Sequence, residues 1–305
     1  MKIKDIHKLK LPYQYKIKGV NWILNRIVKK IENKLIRDSK ICSCVKSGCY
    51  SEEVIVSMTT YPERLEKVIW TIKSVLNQSV PVDRFILWLA EEQYPEKKIP
   101  DELQEYLQYG LEIKFCDDIR SHKKYFYTML ENPDAIVITV DDDVIYPEDT
   151  VEKLLKMHQK FPDVVICNQG RLIKFFGDEF APYAEWTVNI PRDMNYPSYW
   201  ILPIGEGGVL YPSNSMDKEV FNKENIISMA FTADDLWLKF MCVKYGTKSM
   251  MTSDIQRAPC EVNVKEIHDI GLNKQNVFGG NNDKVIMNLK LNYKVVANRI
   301  LNEKR

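Results

Sequence analysis

An α/β fold on a Rossmann-like, mixed but mostly parallel sheet flanked by helices is predicted by three observations. The runs Val54–Met58, Arg84–Ala90 and Ala135–Val140 are nearly continuous in apolar residues, as expected of strands covered on both faces. Between the first two, Leu65, Val68, Ile69, Ile72, Val75 and Leu76 recur at three- and four-residue steps, the period of an amphipathic helix. Strand and helix patterns then keep alternating, which builds β-α-β units. A sheet of this kind opens its ligand crevice beyond the carboxyl ends of its strands.

The elements follow in order. Val54–Met58 opens the first unit and ends at Thr59-Thr60-Tyr61-Pro62, where the helix over 65–76 begins. Arg84–Ala90 is the second strand, Pro100–Tyr109 the second helix and Leu111–Phe115 the third strand. His122–Leu130 reads as a short helix and Ala135–Val140 as the fourth strand. Beyond residue 165 the texture changes: Pro182, Pro191, Pro197, Pro203 and Pro212 interrupt the chain, with Tyr183, Trp186, Tyr196, Tyr199, Trp200 and Tyr211 among them. Proline cannot continue a helix or a central strand, so this half is expected to be loop-rich. The chain divides into a basic arm and linker over 1–50 and a main domain over 51–305, itself split at 165.

Composition removes several classes. Hydrophobic residues at 45% and charged residues at 28% exclude wholesale disorder and a collagen-like chain. No apolar run approaches the length of a membrane-spanning helix, and the first thirty residues lack the pattern of a secretory signal, so a cytoplasmic location is expected. Seven cysteines give no disulfide framework. Cys42, Cys44 and Cys49 are spaced C-x-C-x4-C, but a fourth zinc ligand is not evident nearby.

Charge is segregated. Residues 1–40 hold twelve Lys or Arg against three acids, a net +9, which leaves −8 for the rest of a chain that totals +1. The mildly acidic remainder argues against a general nucleic-acid surface. Within the arm, Val20, Ile23, Leu24, Ile27, Val28, Ile31 and Leu35 share one helical face, with Trp22, Arg26, Lys29, Lys30 and Lys34 beside or opposite it. A cationic amphipathic helix carrying Trp suits the surface of an anionic membrane. The same pattern equally suits a helix packed on the main domain with a solvated basic face.

The strongest chemical signal is Asp141-Asp142-Asp143 at the end of the fourth strand. Three adjacent carboxylates repel and resist desolvation. On an extended chain Asp141 and Asp143 share one side. Hard oxygen ligands at a strand end suit Mg²⁺ or Mn²⁺. Thr59, Tyr61 and Arg64 follow the first strand, where a plain turn with Pro62 opening the helix is the alternative. Lys124 is either a site cation or a surface charge. Thr232-Ala-Asp-Asp235 precedes an apolar helical run, a near capping box in which Asp235 would tie back the helix start and Asp234 would be left over.

In their order along the chain, Ser57–Arg64, Lys123-Lys124, Asp141–Asp143, Gly205–Pro212 and Thr232–Trp237 resemble the GT-A fold glycosyltransferases that build bacterial capsular and surface polysaccharides. The resemblance spans roughly residues 54–240. It implies a D-x-D motif in which Asp143 is the main ligand of a divalent ion, with Asp141 reaching the ribose or a metal-bound water. It implies a nucleotide-sugar donor, expected to be UDP-linked, held by Thr59, Tyr61, Arg64, Lys124, Asp141 and Asp142. Gly207 and Gly208 would let backbone approach the sugar, and Tyr199, Trp200 and Tyr211 are candidates for stacking on sugar faces. An acid at a helix start serves as general base in inverting members, so Asp234 is the first choice and Asp235 the second. His268 is a further candidate metal ligand, whereas Asn276 and Asp283, in the family-like tail, receive no role.

The expected activity is thus metal-dependent transfer of a sugar to a saccharide or lipid-linked acceptor, with residues 1–40 touching the inner membrane face. The alternatives on the same carboxylates are a metal-dependent phosphohydrolase or nucleotidyltransferase, and an inactive saccharide-binding protein.

Overall fold

The computed structural model describes residues 2–12, 20–188, 190–191, 194, 196–253, 256–262 and 280–303. The arm forms α1 (Ile3–His7) and α2 (Val20–Asp38). The main domain follows as β1 (Val54–Thr59), α3 (Leu65–Leu76), β2 (Arg84–Ala90), α4 (Asp101–Leu107), β3 (Leu111–Cys116), α5 (Lys123–Glu131), β4 (Ile136–Thr139) and α6 (Thr150–His158). The second half adds β5 (Val165–Cys167), β6 (Gly170–Leu172), β7 (Phe175–Phe176), β8 (Glu179–Phe180), β9 (Ile201–Pro203) and β10 (Val209–Tyr211). It ends with α7 (Lys223–Asn225), α8 (Asp234–Tyr245), β11 (Ser249–Met251), α9 (Asn281–Asn292) and α10 (Lys294–Leu301).

Seven strands form the central sheet in the order β11-β5-β10-β4-β1-β2-β3. All neighbours are parallel except β10, which runs antiparallel between β4 and β5. This is the expected Rossmann-like, mostly parallel α/β sheet. The four strands and three helices expected before residue 140 are present within a few residues of their expected limits. In the second half, β5, β10 and β11 complete the sheet where only loop-rich chain was expected, because three-residue strands are too short to show a period.

Side chains alternate across the sheet, as pleating requires. Val54, Val56 and Met58 of β1 pack with Val68, Ile72 and Val75 of α3 on one face. Ile55 faces the other side with Ile86, Trp88 and Cys116. A third core under the second half joins Tyr125, Phe126, Tyr211 and Trp237. α8 stops at Gly246, whose φ of +109° lets its N–H return to the carbonyls of Cys242 and Val243, a left-handed stop that glycine takes without strain.

The linker is not free. Cys44 N–H donates to Leu76 O, and Lys46 N–H and Val82 N–H pair it with the stretch before β2. Cys44 is buried and its thiol meets Val75 O, whereas Cys42 and Cys49 are exposed, so the three thiols do not face a common centre.

The arm is fastened to the main domain by buried polar contacts. The Ile3 and Lys4 amides, at the start of α1, donate to the Glu148 carboxylate at 2.8 and 2.9 Å. Glu32 of α2 is fully buried and holds Lys10 Nζ at 2.6 Å and His7 Nδ1 at 2.8 Å. Lys10 also donates to the carbonyls of Ala258 and Pro259. A small apolar cluster of Ile3, Ile36, Ile145, Cys260 and Val262 closes the joint. The predicted apolar stripe is therefore split: its Val28 turns inward, with Ile36 and Glu32, whereas its Ile23 and Ile27 are exposed, as is Trp22 beside them.

Removing one member of a buried ion pair leaves the other uncompensated. Glu32→Ala is expected to cost about 3–5 kcal/mol in urea denaturation and to open residues 2–50 to limited proteolysis. Replacing the pair together, Lys10→Met with Glu32→Leu, is expected to recover most of that loss.

Candidate functional site

The parallel strands deliver their carboxyl ends to one edge of the sheet, and β10 brings its amino end there because it is antiparallel: Val209 lies beside Thr139. From β1, the chain steps to β2 and β3 on one side and to β4 on the other. A crevice is expected outside such a switch point. Thr59 ends β1 and Thr60–Arg64 follow it, Asp141–Asp143 follow β4, Gly205–Gly208 precede β10 and Asp234–Asp235 open α8, so four separate segments meet at this edge.

The aspartate run turns just beyond β4. Asp141 and Asp143 are half-exposed and Asp142 is buried between them. Asp142 is turned into the fold instead of toward a ligand: Thr60 Oγ1 donates to one oxygen at 2.7 Å and Arg64 to the other at 2.5 Å. Burial raises its pKa, with Arg64 pulling the other way. Arg64 also reaches Asp143 at 3.1 Å, and its guanidinium lies 5.3 Å from the Tyr61 ring centre. Thr59 Oγ1 donates to Trp88 O at 2.9 Å, which ties the end of β1 to β2. Of the predicted nucleotide set, Tyr61 and Arg64 stand at this edge with Arg64 paired to Asp142 and Asp143, while Thr59 and Asp142 make internal bonds.

Lys124 is no surface charge. It is buried at the start of α5, with Nζ at 2.6 Å from Asp141 and 2.8 Å from Asp234. Asp234 also accepts from Ser121 Oγ at 2.8 Å. Burial alone would raise the pKa of Asp234, but Lys124 beside it brings it down to about 2.

Asp235 does not close a capping box. α8 starts without a side-chain cap, and Thr232 pairs with Asn281. The Asp235 carboxylate instead accepts from the Gly205 amide, at 3.1 and 3.3 Å to its two oxygens. Burial and the neighbouring Asp234 push it up to about 8 against the pull of Lys124. A Cβ on Gly205 would lie 2.9 Å from Lys124 Nζ and 3.2 Å from oxygens of both Asp141 and Asp235, so a larger residue would enter the middle of the charge cluster. Gly208 takes a φ of +82°, and a Cβ on Gly207 would strike Gln169 at 2.6 Å.

Glu206 was not singled out by sequence, although it stands between Gly205 and Gly207. It is pushed up to about 8, first by burial and then by Asp141, Asp143, Glu261 and Asp235. The acid within a glycine-rich turn was the available signal. Among the described residues, no group of three or more His, Cys, Asp or Glu side chains is arranged to hold a metal ion. The donor chemistry nevertheless fits a hard cation: Asp141 and Asp143 are two positions apart and both half-exposed, and their charge, after burial, helps to hold Glu206 up.

Other candidates fall elsewhere. Tyr211 is buried, Trp200 packs against the same core and donates to Ile300 O, and Tyr199 donates to Gly246 O, so these three rings serve packing. Asp283 accepts from the Tyr183 amide at 2.7 Å. His268 and Asn276 lie outside the described residues.

The edge has one further support. Ile145 N–H donates to Cys260 O and Val262 N–H donates to Asp143 O at 2.8 Å. The segment 256–262 that Lys10 and Arg257 bind to the arm is therefore also hydrogen-bonded to the chain carrying the aspartates.

No family model matches the chain, and no curated protein matches it either.

Glu206 is ionised less readily in the native state than in the unfolded chain. Stability therefore falls as pH rises from its ordinary value near 4.5 through about 8. Glu206→Gln, in the presence of chelator, is expected to be about 0.5–2 kcal/mol more stable than the wild type at pH 8.5. The difference should vanish at pH 4, as thermal melts across this range would show.

Proposed function

We propose that this protein is a metal-dependent glycosyltransferase with a GT-A-like catalytic layer. In this reading it moves a sugar from a nucleoside-diphosphate sugar to a hydroxyl of a saccharide or lipid-linked saccharide. The observation that carries the reading is the meeting of half-exposed Asp141 and Asp143 with Asp235, held on the Gly205 amide, outside the β1–β4 switch.

Asp141 and Asp143 would hold Mn²⁺ or Mg²⁺, which when bound neutralises charge on the departing diphosphate as a Lewis acid. Tyr61 and Arg64 border the donor crevice from the β1 side. Gly205 keeps Asp235 close to that crevice by leaving the space that a side chain would fill. In the transfer step the acceptor oxygen bonds to the anomeric carbon as the bond from that carbon to the phosphate oxygen breaks. The electron pair leaves with the diphosphate, and the hydroxyl proton passes to the Asp235 carboxylate.

Asp235 is favoured over Asp234 on geometry. Both Asp234 oxygens are engaged, by Ser121 and by Lys124, so Asp234 is a positioning residue for Lys124. Asp235 is engaged by a single backbone amide and is the more basic of the two.

Calorimetric titration with a panel of nucleoside diphosphates, UDP first, is expected to show binding with Mn²⁺ that chelation removes and that Asp143→Ala abolishes. Absence of binding under every condition would sink the reading. Phosphate release without an acceptor would move it to a phosphohydrolase.

Asp235→Asn is expected to lower kcat by about 100-fold or more with little change in donor KM. Asp234→Asn should act less on kcat and should also destabilise the fold. The opposite ranking would return the base role to Asp234.

A further inference from the structure

Among the described residues, the outward face of α2 carries large apolar side chains that stay exposed. Trp22, Ile23 and Ile27 are 65%, 55% and 51% exposed, unusual values for large apolar side chains grouped within six residues of one helix. On a helix of 3.6 residues per turn they fall, with the exposed Arg26, Lys30, Lys34 and Arg37, inside an arc of about 140°. Glu32, the acid of the helix interior, lies on the opposite face and is buried against Lys10 and His7. Asp38, at the last turn, pairs with Arg37. The exposed face is thus made of large apolar groups interleaved with cations, and Arg26 stands 5.2 Å from the Trp22 ring centre.

We infer that this face is a docking surface for an anionic lipid bilayer, with α2 lying in the plane of the interface. Its nineteen residues extend about 28 Å, and no described helix is long and apolar enough to cross a membrane. In that pose Trp22, Ile23 and Ile27 enter the headgroup boundary, while the four cations remain level with the lipid phosphates. Charge complementarity selects this occupant. The net +9 of residues 1–40 and the exposed Arg26, Lys30 and Lys34 complement a dense plane of lipid phosphates, whereas a second copy docked arm to arm would offer this face like charge. The inward face is already committed to the main domain through Val28, Glu32 and Ile36, so binding requires no unfolding of the arm.

The inference does not rest on the reaction proposed above. Its test uses the full chain with phosphatidylcholine vesicles, with and without phosphatidylglycerol, read by co-sedimentation. The wild type is expected to bind the anionic vesicles about tenfold or more tightly than the neutral ones, and to release in 1 M salt, where screening shortens to about 3 Å. Trp22→Ser/Ile23→Ser/Ile27→Ser should lose about tenfold or more in partitioning, and so should the separate variant Arg26→Gln/Lys30→Gln/Lys34→Gln. These residues are exposed and outside the candidate site, so circular dichroism and nucleotide binding should be unchanged in both variants. Equal binding to both kinds of vesicle, or full binding by the apolar variant, would overturn the inference. So would a dimer in sedimentation velocity that the apolar variant dissociates, since the face would then belong to a second copy.

Discussion

The structure of the candidate site depends on one cation in a field of carboxylates. Lys124 is buried at the start of α5, where a lysine without partners would lose its charge. It remains charged because Asp141 and Asp234 hold it from two sides, and each of those acids is tolerable there because of Lys124. The three come from α5, the end of β4 and the start of α8. The Lys124–Asp234 contact thus adds an ionic joint to the β4–β10 pairing and the shared apolar core through which the first half of the domain meets the second. Arg64 repeats the arrangement on the other flank by joining the helical turn after β1 to Asp142 and Asp143. The two cations do not cancel the negative charge, and the surplus is felt at Glu206 and Asp235, the acids that burial and like charge hold near neutrality.

The arm is part of this arrangement and not an appendage to it. Lys10 joins α2, through Glu32, to the carbonyls of Ala258 and Pro259. Two steps further along that segment, Cys260 and Val262 pair with Ile145 and Asp143. Glu148, which accepts from the first turn of α1, lies five residues beyond Asp143. A displacement of the arm would therefore strain the backbone that carries the aspartate run. The polar contacts face the domain, and two of the apolar residues that a simple amphipathic reading would bury, Ile23 and Ile27, are left outside.

How much of this was legible in the sequence depended on the length of the signal. β1, β2 and β4 were readable because each lies in a nearly continuous apolar run, and α3 because its apolar residues recur at a helical period. β5, β10 and β11 are three residues each and are strands because a partner lies beside them, which no local pattern records. The aspartate run stood out because adjacent acids at the end of an apolar strand are costly without a reason. Glu206 did not, since its character comes from burial and from Asp141, Asp143, Glu261 and Asp235, residues 63 to 65 positions before it or about 30 to 55 after it. The stripe on α2 was readable as a stripe, but its orientation was not: Glu32 is buried beside the apolar face, and its partners, His7 and Lys10, lie 22 to 25 positions earlier in the chain. A periodicity that counts apolar residues places the buried face where Ile23 and Ile27 are. The ion pair places it where Glu32 is.

Asp234 and Asp235 show how neighbouring residues of one type acquire opposite properties. Successive positions at a helix start point about 100° apart, so the two carboxylates enter different surroundings. Asp234 meets an ammonium and a hydroxyl and stays ionised. Asp235 meets a peptide N–H and a neighbouring negative charge, and it gives up its charge far more readily. Pairs of acids whose surroundings push their pKa values apart are the arrangement from which acid–base chemistry is built at neutral pH. Here the division depends on Gly205, because the amide that holds Asp235 belongs to a residue whose missing side chain leaves room for Lys124, Asp141 and Asp235 to converge. With a methyl group at that position, the ammonium would have to shift, Asp234 would lose its counter-ion geometry, and the contrast between the two acids would narrow.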